Sequence, residues 1–207
     1  MNHRRELIHP SALRRSLCGA VLAAVLVNSQ SASCAATVTI GGPFTLTAPD
    51  GATVTDQTYR GKWLLVYFGY TFCPNTCPTA LLEIATALKR FGPNAAKVQP
   101  IFITVDPKRD TRDVMAQYTQ SFDPRIVGLT GTPAQIAAVA HEYGAYYVAH
   151  KIDEGANGYL IDHSTYIYVM DPQGQFVQAF DADTPADHIA DDLVHDMKRE
   201  EKPVDLR

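Results

Sequence analysis

The chain has 207 residues, 46% hydrophobic and 19% charged, with 18 basic and 22 acidic side chains for a formal net charge of −4. That balance is ordinary for a globular protein and excludes a collagen-like repeat, a disulfide-dense miniprotein and a long disordered tail. It offers no basic patch of nucleic-acid type, so no nucleic-acid partner is expected.

The first segment reads as targeting, not fold. Arg4, Arg5, Arg14 and Arg15 precede an uncharged apolar run of eleven residues, Leu17 to Val27, and then a small polar stretch from Asn28 to Ala36. Basic, apolar, small is the order of a secretory signal peptide. Eleven helical residues at about 1.5 Å each fall short of a hydrocarbon core of about 30 Å. Residues 1–33 are therefore expected to be a signal peptide, with an uncleaved anchor or a lipid on Cys34 as the alternatives, and 34–207 the working domain. Export predicts a periplasmic or periplasm-facing, membrane-associated protein. Without residues 1–33 the chain keeps 21 of its 22 acids and 14 of its 18 bases, a charge of about −7.

The remaining elements follow in order. Phe44–Ala48 and Ala52–Thr55 flank Pro49-Asp50-Gly51 as a hairpin. Trp63 to Phe68 is a continuous apolar run, the pattern of a strand buried on both faces. Cys77–Phe91 is a helix stopped by Gly92-Pro93, Val98–Val105 a second buried strand, and Thr111–Phe122 a helix. Ile126–Leu129 reads as a short strand and Thr132–Tyr143 as an amphipathic helix. Tyr146–Ala149 reads as a short strand and Lys151–Gly158 as a loop. Ser164–Met170 and Gln175–Phe180 form a hairpin about Asp171-Pro172-Gln173-Gly174, and Pro185–Lys198 is the last helix. A βαβ unit followed by an antiparallel ββα end predicts an α/β thioredoxin-like fold: a mixed central sheet flanked by helices, with an N-terminal β-hairpin.

Of the four cysteines, Cys18 lies in the apolar run and Cys34 at the processing site, which leaves Cys73 and Cys77 to the domain. Their loop is too short to stabilise much as a disulfide, so redox or metal chemistry is the better reading. Both lie where a buried strand passes into a helix, and a helix start lowers the pKa of a thiol. With helix from Pro74, a four-residue spacing turns both sulfurs to one place. Three residues between the cysteines permit a disulfide and also suit two thiolates on one soft ion.

Two sulfurs specify a metal weakly, so a third ligand is sought. His141, His188 and His195 read as helix-surface residues, and His150 borders the polar loop. His163 stands just before the tyrosine-rich strand, where thioredoxin-like folds commonly carry a proline facing the cysteines, and it is the candidate. Gly69 reads as a tight backbone path, Tyr70 and Phe72 as either core or docking surface, and Met170 as core.

Three ordered stretches resemble one family. Tyr67-Phe68-Gly69-Tyr70-Thr71-Phe72-Cys73-Pro74-Asn75-Thr76-Cys77-Pro78 resembles the cysteine motif of the Sco/SenC copper-delivery proteins. So do Thr104-Val105-Asp106-Pro107-Lys108-Arg109-Asp110-Thr111 and Asp162-His163-Ser164 with Tyr168 to Gly174. The resemblance implies one copper ion on Cys73, Cys77 and His163, Cu(I) favoured and Cu(II) possible, with Asp106 beside the site. Asn75 stands where many members have Asp. It implies a copper chaperone for the binuclear copper centre of cytochrome c oxidase. The partners would be that copper-bearing subunit or another exported cuproprotein, and upstream a copper donor or thiol reductant. The rival is a thiol–disulfide reductase that uses Cys73 and Cys77 alone. A peroxidase would need an arginine beside a reactive cysteine, and sequence ties Arg109 only to Asp106.

Overall fold

The structure is a computed structural model; it describes residues 39–152 and 158–200. The targeting segment, with Cys18 and Cys34, lies outside the described residues, as does most of the polar loop between Lys151 and Gly158.

The sequence patterns become nine strands and four α-helices among the described residues, with short 3-10 turns at Asp56–Tyr59 and Gly92–Lys97. β1 (Thr45–Thr47) and β2 (Thr53–Thr55) form the expected N-terminal hairpin, Leu46 facing Val54 across it. β3 (Trp63–Gly69) is buried along its whole length, which explains its unbroken apolar run. α1 (Thr76–Arg90), β4 (Val98–Thr104), α2 (Arg112–Gln120), β5 (Val127–Leu129) and α3 (Pro133–Glu142) follow. Next come β6 (Tyr147–Lys151), β7 (Tyr159–His163), β8 (Tyr166–Met170), β9 (Phe176–Asp181) and α4 (Ala186–Glu200).

The central sheet has the order β5-β4-β3-β8-β9. β3, β4 and β5 run parallel, while β8 and β9 complete the sheet antiparallel. α1 and α4 pack on one another, and the Glu83 carboxylate of α1 accepts from the Ala186 N–H at 2.7 Å where α4 begins. α4 turns Ile189, Ala190, Leu193 and Met197 inward. Thr111 and Thr132 cap α2 and α3 through their hydroxyls, so each helix starts one residue after its expected first position.

Two expectations change. α1 begins at Thr76, with Asn75 as its N-cap, so Pro74 precedes the helix rather than opening it. Residue 73 precedes a proline, which disfavours helical backbone there, and its N–H instead closes a turn onto the Tyr70 carbonyl at 3.2 Å. Second, residues 159–163 form a strand that the sequence pattern did not disclose. β7 pairs only with β6, as a separate two-stranded sheet. Its alternation is masked because apolar Leu160 faces outward while His163 faces in.

Leu65 sits at the middle of β3 with no exposed surface. Truncation to alanine leaves a cavity between layers, so Leu65→Ala should lower unfolding free energy by about 2–5 kcal/mol in urea denaturation. A loss under about 0.5 kcal/mol, the range of surface substitutions, would show that the sheet is not packed as described.

Candidate metal centre

β3 and β4 are adjacent parallel strands, so their C-terminal ends release two loops at one edge of the sheet. The loop after β3 carries Cys73, and Cys77 follows in the first turn of α1. Its backbone is pinned by Asp110 from the loop after β4. That carboxylate accepts from the Thr71 hydroxyl at 2.6 Å, the Thr71 N–H at 3.1 Å and the Thr104 hydroxyl at 2.6 Å. Burial raises the Asp110 pKa, and these three donors pull against that rise. Sequence reasoning gave Asp110 no role, since a buried carboxylate reads like a surface one until its partners are known.

The Asn75 side chain makes no capping bond. The Cys73 sulfur instead accepts from the Cys77 N–H at 3.4 Å, so a thiolate occupies the place of a cap. The four-residue spacing works through this turn rather than through a shared helical face. The two sulfurs then differ in state. Cys73 is half-buried, and hydrogen bonding from the Cys77 thiol, then from His163 and the Asn75 and Cys77 N–H groups, outweighs its desolvation and holds it far below an ordinary thiol pKa. Cys77 has no exposed surface, and burial pushes it up, with the Cys73 charge adding to the rise. At Cys73 the helix-start N–H groups add only a minor part of the lowering, most of which comes from the Cys77 thiol, and at Cys77 desolvation wins.

His163 enters from β7, 86 residues along the chain from Cys77, and its Nε2 lies 3.3 Å from the Cys77 sulfur. Its Nδ1 is 2.8 Å from the Ser164 carbonyl oxygen, which can only accept; Nδ1 therefore donates there, and Nε2 is the ring nitrogen turned to the sulfurs. The rings of Tyr67 and Tyr70 stand edge-on to the imidazole, with centroids 6.1 and 5.8 Å away. Among the described residues, Cys73, Cys77 and His163 are the one group of three or more such ligands that converges, all ligand atoms within 4.8 Å of one another. Two sulfurs and an imidazole nitrogen make a soft donor set, suited to copper or zinc rather than to a hard cation.

Asp106 is not part of that convergence. It is buried, and its carboxylate accepts from Arg109 and, at 2.8 Å, from the Tyr159 hydroxyl. Arg109 is thus engaged by Asp106 and not presented to a cysteine as a peroxidase would need. His141, His188 and His195 are exposed, and exposed His150 pairs with Asp162 at 2.9 Å. Met170 is core. Tyr70 and Phe72 separate: Tyr70 is buried, Phe72 exposed. A cleft of about 290 Å³ opens at the site, lined by Cys73, Asn75, His163, Tyr146 and Leu160 among others.

Gly69 has ordinary backbone dihedrals, so it is not there for conformational freedom. A β-carbon on it would lie 2.6 Å from the Cys77 sulfur and 2.7 Å from a Phe102 ring carbon. The glycine gives the sulfur its room.

The sequence profile of the SCO1/SenC family matches residues 33–198. The chain belongs to the SCO1/SenC family. It is 42% identical over 158 residues to the SenC protein of Rhodobacter capsulatus, covering 76% of this chain and 71% of that one. It is 40% identical over 164 residues to mitochondrial SCO1 homolog 1 of Arabidopsis thaliana, covering 79% of this chain and 48% of that protein; the chain thus spans about half the length of that relative. In three dimensions it is similar to copper-bound ScoI of Bradyrhizobium japonicum, with a TM-score of 0.70 and 46% identity, covering 75% of this chain and 98% of the other. The thioredoxin-like expectation is borne out by this membership and by the sheet order.

Two outcomes follow from the site. The half-exposed Cys73 thiolate should alkylate at least about tenfold faster than buried Cys77 in the reduced protein, and its rate should stay nearly flat as pH falls from about 8 to about 6. Mass-spectrometric mapping checks this; equal rates would contradict the assignment. Gly69→Ala should displace the Cys77 sulfur or the Phe102 ring and cost about 1–3 kcal/mol of stability, measured by denaturation.

Proposed function

We propose that the protein is a copper carrier that takes one copper ion, preferentially Cu(I), on Cys73, Cys77 and His163 and passes it to the binuclear copper centre of cytochrome c oxidase. The observation that carries this reading is the meeting of two sulfurs and one Nε2 within 4.8 Å. The copper-bound B. japonicum relative supports copper over zinc as the ion for this donor set. Soft sulfur ligands favour Cu(I), and an added oxygen ligand would suit Cu(II).

The cargo reading fits the unequal sulfurs. Cys73 lies half-exposed at the cleft, where a partner's ligand can reach the ion, while Cys77 and His163 stay buried behind it. The recipient is the copper-bearing subunit of cytochrome c oxidase or another exported cuproprotein, loaded after an upstream donor or thiol reductant has acted. Residues 1–33 would direct export to a periplasm-facing, membrane-associated position. No helix among the described residues is long and apolar enough to cross a membrane.

A second reading rests on the same sulfurs. A half-exposed thiolate next to a buried thiol suits thiol–disulfide exchange. Cys73 attacks a substrate disulfide and Cys77 resolves the mixed disulfide, leaving the substrate reduced and Cys73–Cys77 oxidised. That disulfide removes both sulfur ligands, so redox state would gate copper loading.

Copper titration of the reduced protein separates the two. Wild type should bind one equivalent, and Cys73→Ser, Cys77→Ser and His163→Ala should each lose it or weaken it by at least about a hundredfold. His163→Ala should still form the disulfide; retained copper affinity in that variant would remove His163 from the ligand set, and a wild type that binds no copper would leave only the exchange reading.

Acid should weaken binding with a defined slope. Cys73 is already ionised and Cys77 is protonated, so each copper displaces one thiol proton. Affinity should then fall about tenfold per pH unit between about pH 8 and pH 7. A hundredfold slope, meaning two displaced protons, would show that Cys73 is not a resting thiolate.

A further inference from the structure

β7 delivers His163, yet β7 is not bonded into the central sheet; it pairs only with β6. Its C-terminal end continues through Ser164 and Thr165 into β8 of that sheet, and its N-terminal end is tied separately. The residues that tie it come from the Asp106-Pro107-Lys108-Arg109-Asp110 turn after β4. The Arg109 and Asp110 N–H groups both bond back to the Asp106 carbonyl, at 3.1 and 2.9 Å, which makes the turn tight. One side of it grips the cysteine loop, through Asp110 and Thr71.

The other side grips β7. Arg109 donates through Nη1 to the Tyr159 carbonyl at 3.1 Å and through Nε to the Asp106 carboxylate. The Tyr159 hydroxyl returns to that same carboxylate at 2.8 Å. The guanidinium lies over the Tyr159 ring at 3.7 Å, and the Phe72 and Tyr70 rings stand 4.9 and 5.7 Å from it. Arg109 therefore touches the strand of the histidine and the loop of the cysteines at once. Its side chain is 13% exposed and that of Asp106 is 4% exposed, so the ion pair is screened little by water. A planar fork that bonds two oxygens while stacking on a ring is a geometry lysine cannot reproduce. One further tie, the Ile161 N–H to the Tyr70 hydroxyl at 3.3 Å, runs between the same two segments.

We propose that Arg109, clamped by Asp106 and Tyr159, is a positioning residue that latches the β6–β7 hairpin to the cysteine loop and so sets where His163 stands. This rests on the copper reading above. It gives Asp106 its part at the site, through Arg109 and not as a ligand. Removal of the guanidinium leaves both sulfurs and the imidazole in the chain but frees the imidazole's support.

The test compares wild type, Arg109→Met, Arg109→Lys, His163→Ala and the double variant Arg109→Met/His163→Ala in full-length reduced protein. Each is titrated with Cu(I) against a competing chelator, and amide hydrogen exchange is read over residues 159–163. Arg109→Met should weaken copper by about ten- to a hundredfold, with Arg109→Lys between it and wild type. The double variant should bind within about threefold of His163→Ala alone, because Arg109 acts through that imidazole. Exchange of the β7 amides should quicken at least about tenfold while β3 and β4 stay protected. The Cys73–Cys77 disulfide should still form.

Copper affinity within about twofold of wild type in Arg109→Met, fully additive losses in the double variant, or unchanged β7 exchange would each overturn the proposal. If Arg109→Met does not fold, Arg109→Lys is judged on the same readings. A wild-type protein that binds no copper ends the copper reading, and the exchange comparison still decides the latch.

Discussion

The 3.3 Å approach of His163 Nε2 to the fully buried Cys77 sulfur is the contact on which the site depends. A buried polar atom is costly unless it finds a partner. Here the imidazole is partnered at both ends, by the Ser164 carbonyl and by the sulfur. The backbone bond orders the ring and turns Nε2 toward the sulfurs, where a soft ion would sit. Gly69 makes the approach possible from below by leaving space for the sulfur.

The fold divides the work between a rigid platform and an added arm. Parallel strands β3 and β4, buried along most of their length, end side by side and present two loops at one sheet edge. The hairpin β6–β7 lies outside that sheet and reaches the site through side chains. A soft ion thus meets one half-exposed sulfur on a well-supported loop and one nitrogen on an arm whose placement depends on a buried ion pair.

The unequal environment of the two cysteines has the same origin. A sulfur in the turn before the helix receives N–H donors and stays partly wet; a sulfur one turn on faces the core. Identical side chains four residues apart so acquire opposite tendencies, one toward thiolate and one toward thiol. Ligand exchange and disulfide exchange both use that asymmetry, which is why one pair of cysteines supports two chemistries.

The sequence by itself determined the strand and helix order apart from β7, the core strands β3 and β4, the cysteine pair and the histidine candidate. These are signals of local period and residue type, such as the unbroken run from Trp63 to Phe68. Asp106 and Arg109 were visible as a motif but not as a connection. Only the tertiary structure decided that Tyr159–His163 is a strand, that Cys73 caps α1 with its sulfur, that Tyr70 is core while Phe72 is not, and that Asp110 holds Thr71. The Cys73 cap is local, four residues from its partner, but the meeting of Cys77 with His163 spans 86 residues and that of Thr71 with Asp110 spans 39. Local pattern reports how a segment meets water; which distant segment it meets follows from sheet order and buried hydrogen bonding, and no window of neighbouring residues contains that.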